Sequence, residues 1–171
     1  MFNLKTFMKK KLSKKSLSFQ IFQDDSFGSL TNNEQHKLLK YAHKRSYQAG
    51  EMIFLQDDPA TGMYILAEGE VHVMVNNAAI GKKFEIGTVF GLFTFDSEIK
   101  RWYSLKAKTN TVVYGLFKPD FETIIAREPK LAFNLIRYSN RKAIDTLASL
   151  YTELADSIGA EKSLSIIFKD Y

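Results

Sequence analysis

The 171 residues are 45% hydrophobic and 25% charged, the composition of an ordinary globular chain with one core and not of a disordered or fibrous one. Without cysteine there is no disulfide framework, thiolate zinc site or thiol nucleophile, and no apolar run reaches the roughly 18 residues of a spanning helix. The net charge of +5 is concentrated in Lys5, Lys9, Lys10, Lys11, Lys14 and Lys15, so the remaining chain is near neutral and does not read as a broad nucleic-acid-binding surface.

Residues 1–26 read as a basic leader. Leu4, Phe7, Met8 and Leu12 recur at helical spacing among the lysines, a pattern that suits either peripheral contact of residues 1–15 with a membrane or acidic partner, or a locally packed helix. No secretory signal pattern occurs there, and the expected location is cytoplasmic. Thr31 and Glu34 have capping-box spacing and open a helix with Leu38, Leu39 and Ala42 as its buried stripe. That helix is expected to end near residues 43–45, which places His36 and His43 on it.

From residue 51 to 118 the pattern changes to short β-type runs at 52–55, 63–66, 71–75, 80–84, 88–90, 102–107 and 111–117. Gly62, Gly69, Gly81, Gly87 and Gly91 stand at their junctions, and Asn76-Asn77 is suited to the positive φ angles of a tight hairpin. Seven short strands with no helix-length segment between them predict an antiparallel barrel or sandwich.

After Lys118, Asp120 is a candidate cap for a helix over 121–127, and Pro129 is placed to start a longer helix to about residue 156. Along it Ile136, Asn140, Ala143, Leu147, Leu150 and Leu154 follow spacings of three and four, the seam of a coiled coil with one polar position. A parallel homodimer is one reading. Packing of the same helix on its own barrel, with Ile144, Ala148 and Tyr151 as a second stripe, is the other. The apolar run 164–168 is expected to dock on the long helix or add a strand.

The run Ala49-Gly50-Glu51-Met52-Ile53-Phe54-Leu55-Gln56-Asp57-Asp58-Pro59, then Tyr64-Ile65-Leu66-Ala67-Glu68-Gly69-Glu70-Val71 and Gly87-Thr88-Val89-Phe90-Gly91, resembles the cyclic-nucleotide-binding domain of the catabolite-activator and protein-kinase-A regulatory family. Ala107-Lys108-Thr109 and Val112-Val113-Tyr114-Gly115-Leu116 continue the resemblance through the last strands. It implies a mainly β fold, a jelly-roll barrel flanked by N-terminal and C-terminal helices with a long C-terminal helix. The implied division is a leader to residue 26, a cyclic-nucleotide-binding-like domain over 27–155 that includes the long helix, and a short tail over 156–171.

The resemblance also implies where a ligand would sit. The family holds a cyclic phosphate with backbone N–H groups and an arginine, and the corresponding residues here are Gly91, Leu92, Phe93, Arg101, Trp102 and Tyr103. Arg101 takes the place of the phosphate arginine. The family's glutamate for the ribose hydroxyl is Leu92 in this chain, and an unpaired buried hydroxyl costs about 1–3 kcal/mol, or about 5- to 150-fold in affinity. Bulky Trp102 and Tyr103 stand where the family has small residues. Four readings follow: weakened binding of cAMP or cGMP, a ligand-independent domain, a different anion stacked on Trp102 or Tyr103, or a shifted cassette in which Arg101 is structural.

Enzymatic readings find little support. His36, His43 and His72 are the only histidines available to a metal site on a cupin-like barrel, and His72 lacks the neighbouring histidine such a site needs. Residues 157–171 are too few for a winged helix, so DNA readout is not expected. The expected function is a regulatory or sensor module with no required cofactor, acting as a homodimer on an unidentified protein partner. The alternative is a degenerate domain that serves as a dimerising interaction module.

Overall fold

A computed structural model describes residues 30–91 and 99–167. The leader with its expected helix in residues 1–15, the cassette residues Leu92 and Phe93, and Phe168 lie outside the described residues. The chain divides into two units, residues 1–132 and 133–171.

In the first unit, helix α1 (Asn32–Tyr41) starts as the sequence predicts: the Thr31 hydroxyl accepts the Glu34 amide at 3.3 Å, and the Glu34 carboxylate accepts the Thr31 amide at 2.8 Å. It stops sooner than expected. His43–Tyr47 form strand β1, which pairs antiparallel with the last strand in register His43↔Gly115 to Tyr47↔Thr111. His43 is therefore a strand residue. The segment carries no apolar alternation, so its extended state comes from the hydrogen-bonding edge it meets and from Arg45, whose guanidinium stands 4.6 Å over the Phe117 ring.

The remaining strands are β2 (Met52–Phe54), β3 (Gly62–Glu68), β4 (Val71–Val75), β5 (Ala78–Lys83), β6 (Val89–Phe90), β7 (Ser104–Ala107) and β8 (Thr111–Phe117). They form two antiparallel four-stranded sheets, β1-β8-β3-β6 and β2-β7-β4-β5, in a jelly roll. One strand more is present than the sequence predicts, and β7 begins at Ser104, leaving Trp102 and Tyr103 before it. Asn76 and Asn77, at φ 50° and 64°, make the tight β4–β5 turn with the backbone twist that suits a hairpin.

Between the sheets, Ile53, Phe54, Tyr64, Leu66, Val71, Val73, Phe90, Leu105 and Val113 form the core, with Tyr47, Phe84, Tyr103 and Phe117 packed against it. Aromatic rings run through it in sequence: Phe84 stacks on Phe90 at 5.5 Å, Phe90 on Tyr64 at 5.6 Å, Tyr64 on Phe54 at 5.9 Å, and Phe54 meets Tyr103 at 5.6 Å. Each such pair contributes about 0.5–1.5 kcal/mol beyond its buried area. In β3, Tyr64 and Leu66 face this core, while Met63, Ile65 and Ala67 are buried on the opposite side of the strand.

Helix α2 (Lys118–Arg127) follows β8 directly. Asp120 sits inside its first turn and not ahead of it, and its carboxylate accepts the Phe117 amide at 2.9 Å. His43 Nε2 lies 2.9 Å from the other carboxylate oxygen, and Lys37 pairs with Glu128 at 2.6 Å.

Helix α3 (Pro129–Ile158) begins at the expected proline and supplies most of the second unit. There Ile136, Ile144, Leu147 and Leu150 are exposed. After Gly159, residues Ala160–Ile167 form helix α4, so this part of the tail is helical and adds no strand to the barrel. No helix among the described residues is long and apolar enough to cross a membrane.

Leu105, fully buried at the centre of the second sheet, is the position where truncation should weaken the barrel most directly. Leu105→Ala is expected to lower unfolding free energy by about 2–5 kcal/mol in urea melts.

Candidate functional site

Residues 99–101 run as a short ribbon antiparallel to 57–60. The Asp57 amide donates to Arg101 O at 2.9 Å, the Arg101 amide to Asp58 O at 2.8 Å, and the Ala60 amide to Ile99 O at 2.8 Å. Asp57 takes a left-handed φ of 67°, and the Asp58 carboxylate closes the turn by accepting the Leu55 amide at 2.9 Å. Just beyond, the Gln56 amide donates to Ser104 Oγ at 2.7 Å, which ties the ribbon to the start of β7. Both backbone directions at Arg101 are thus anchored, and its side chain turns into the barrel.

That side chain is 6% exposed. Its guanidinium carbon stands 4.6 Å from the Phe54 ring centre and 5.8 Å from that of Tyr64. Nη2 donates to the Gly62 carbonyl at 2.6 Å. Nε is buried with no hydrogen-bond partner among the described residues, and none of the ion pairs found there involves Arg101. Burial pulls the guanidinium pKa down, and Tyr64, Tyr103 and Asp58 oppose that shift. A buried cation with an orphaned N–H carries a desolvation cost that an anion accepting its hydrogen bonds would offset.

Gly91 makes room for it. At φ +66° a side chain would already be strained, and a Cβ there would sit 2.7 Å from Arg101 Nη1 and 3.3 Å from the Tyr64 ring. Gly91 and Arg101, both expected at the site from sequence, are therefore in direct apposition.

Trp102 and Tyr103 point in different ways. Tyr103 turns inward against Phe54, and burial raises its phenol pKa, offset in part by its hydrogen bond with the Gly91 backbone and by the Arg101 charge. Tyr64 is likewise raised by burial. Trp102 is 75% exposed and lines an open cleft of about 630 Å³ with Gln56, Asp57, Ile99, Lys100 and Arg101. Bulky residues after the arginine do fill interior space, but through Tyr103 alone.

Nothing in the sequence marks Gly62, Phe54 or Tyr64 as site residues. Gly62 stood out only as a strand junction, and a backbone carbonyl leaves no side-chain signature. His72 lies on β4 beside Lys83 and Lys106 in register, and no cluster of residues able to hold a metal occurs among the described residues.

Residues 44–128 match the family model of the cyclic nucleotide-binding domain. A putative potassium channel protein of Rhodopseudomonas palustris is 31% identical over 108 residues, 62% of this chain and 26% of that protein. A cyclic AMP receptor protein of Thermus thermophilus is 30% identical over 114 residues, 64% of this chain and 52% of that protein. The chain thus spans about half or less of the length of these relatives. The crystal structure of the Thermus thermophilus catabolite activator protein superposes with a TM-score of 0.61 at 27% identity, covering 78% of this chain and 63% of that one.

The buried Tyr64 and the partly buried Tyr103 make stability depend on pH in a defined direction. Their folded pKa values lie above the ordinary 10.0, so the unfolded chain releases these protons first. Stability should be fully retained below pH 10 and fall as pH rises beyond it. Tyr103→Phe removes one of the two protons involved, and urea midpoints measured from about pH 8 to 11 should decline less steeply in the variant than in the wild type.

Proposed function

Residues 44–128 belong to the cyclic nucleotide-binding domain family, and from that premise we propose that the chain is a regulatory sensor module that takes cAMP or cGMP weakly, with the cyclic phosphate at Arg101. The observation that carries this reading is a buried guanidinium with an orphaned N–H and no carboxylate partner among the described residues. Such a group is a site for an anion that brings its own acceptors. Leu92 cannot accept a hydrogen bond from a ribose hydroxyl, and the ligand must also compete with the Gly62 carbonyl, so the proposed affinity is low. Cyclic AMP is the ligand named for the Thermus thermophilus relative.

The proposed output is carried by a homodimer through Ile136, Asn140, Ala143, Leu147, Leu150 and Leu154, which presents a changed surface to a protein partner when ligand binds. Exposure of Leu147, at 58%, and of Leu150 supports a partner helix on this face. No catalytic step is assigned.

A second reading has its own support. Arg101 is already covered, stacked on Phe54 and bonded to Gly62, which suits a domain that keeps the arginine as a structural residue and serves as a dimerising interaction module.

Titration with cAMP, cGMP and 5′-AMP separates the two. Trp102 is the only tryptophan and is solvent-facing, so the sensor reading expects a saturable blue shift and a rise in melting temperature with cyclic nucleotide alone. Arg101→Met should abolish both, and Leu92→Glu should tighten binding about 5- to 150-fold. Flat responses to about millimolar ligand place any Kd above that concentration and favour the interaction module. In either case Leu147→Glu should convert the dimer to monomer in sedimentation experiments.

A further inference from the structure

Independently of Arg101 and of α3, we propose that the outer face of the sheet β2-β7-β4-β5 docks an acidic peptide segment of a partner protein on a cross-strand row of Lys106, His72 and Lys83. The row follows from register. His72 on β4 stands opposite Lys106 on β7 and opposite Lys83 on β5, so the side chains occupy neighbouring positions on one face, about 5 Å apart from strand to strand. Alternation settles which face it is: Val71 and Val73, on either side of His72, and Leu105, beside Lys106, belong to the core between the sheets.

Lys83 owes its place in the row to a bulge. The pairs Val75↔Ala78 and Met74↔Ala79, continued without interruption, would set Gly81 opposite His72, but the register shifts and Lys83 stands there in its place. Gly81 takes a φ of 72°, the left-handed conformation that a bulge of this kind uses. A neutral position is thereby exchanged for a cation. The same bulge interrupts the free edge of β5, which is exposed along its whole length, and disfavours the addition of a further strand there. A partner therefore meets the face of the sheet and not its edge.

The chain does not neutralise the row. None of the ion pairs among the described residues involves Lys83 or Lys106. Like charges on directly opposite residues weaken a sheet, so the stability of the barrel does not explain the arrangement. Glu70, just before β4, is engaged with Lys108 at 2.8 Å. Its carboxyl is held below the ordinary range by that hydrogen bond and charge first, and Lys83 and His72 add to the effect. Beside the row lies a cleft of about 530 Å³ whose lining includes Glu70, His72, Lys83, Phe84, Glu85 and Ile86, and Ile86 is 48% exposed. This combination selects the occupant. Carboxylates suit the row and an apolar side chain suits Phe84 and Ile86, whereas Glu70 and Glu85 repel a continuous polyanion or a flat anionic bilayer, neither of which can place its charges one by one. A short acidic segment can.

Fluorescence anisotropy of the full chain with a fluorescein-labelled, end-capped peptide, Glu-Glu-Leu-Glu-Glu, tests this surface. Saturable binding is expected, weakening about tenfold as salt rises from about 50 mM to about 300 mM. Lys83→Glu with Lys106→Glu should weaken it by at least about tenfold. The control pair Lys44→Glu with Lys130→Glu changes the net charge equally at exposed lysines elsewhere in the first unit, and should alter binding by less than about twofold. Absence of binding, an unchanged affinity in the row pair, or equal weakening by both pairs overturns the proposal, since any binding then belongs to overall charge or to the lysines of residues 1–15. Tighter row-dependent binding of phosphatidylserine vesicles or of a single-stranded oligonucleotide than of the peptide overturns the choice of a peptide. Should the glutamate pair fail to fold, Lys83→Gln with Lys106→Gln removes the charges without adding carboxylates and should still weaken binding by about threefold. No cyclic nucleotide enters the measurement, so its outcome is separate from that of the sensor reading.

Discussion

A guanidinium enclosed by aromatic rings, with one backbone carbonyl as its acceptor, imposes its requirements on everything around it. Arg101 can be buried only because Phe54 and Tyr64 offer their negative faces and Gly62 offers an oxygen, and because Gly91 has no side chain to occupy the space of Nη1. These four residues come from β2, β3 and the end of β6, so the arginine touches both sheets of the jelly roll. The ribbon formed by 57–60 and 99–101 exists to deliver it there, and its three backbone hydrogen bonds set the direction in which the side chain leaves.

The aromatic row from Phe84 to Tyr103 serves the barrel and the site together. Its rings fill the space between sheets that small residues would leave open, and two of them face the cation. Filling this interior with Tyr103 raises the demand on any entering ligand, which must find room beside a partly buried phenol as well as an acceptor for its hydroxyls. Under the proposed sensor reading, a polar ligand would be recognised through its charge first. The stability of the barrel and the enclosure of Arg101 are thereby linked through the same side chains.

The second unit follows different rules. In α3 the apolar positions Ile136, Leu147 and Leu150 remain exposed on a single chain, and a helix of this kind gains little stability until that face is covered. Asn140, at one position of the proposed seam, is the type of residue that selects register at some cost in stability. Gly159, with a positive φ of 88°, ends α3 in the left-handed conformation that releases the chain into α4.

Local signals in this chain suffice where the physics is local. The Thr31 and Glu34 capping box, the Asn76-Asn77 turn and the proline at the head of α3 each depend on residues within four positions of one another, so their spacing alone determined the outcome. The motifs that carry the family resemblance are of the same kind and determined the jelly roll. Strand β1 escaped because His43-Lys44-Arg45-Ser46-Tyr47 has no apolar period, and its conformation is decided by the partner strand from residue 111 onward. The opposite orientations of Trp102 and Tyr103 were likewise undecided until β7 was seen to begin at Ser104. Sequence by itself determined the fold and most of its elements, and it singled out Arg101 and Gly91, which the structure brings into apposition. Only the tertiary structure decided what the arginine touches, because its acceptor is a backbone carbonyl 39 residues away, and a carbonyl is common to every residue and marked by none.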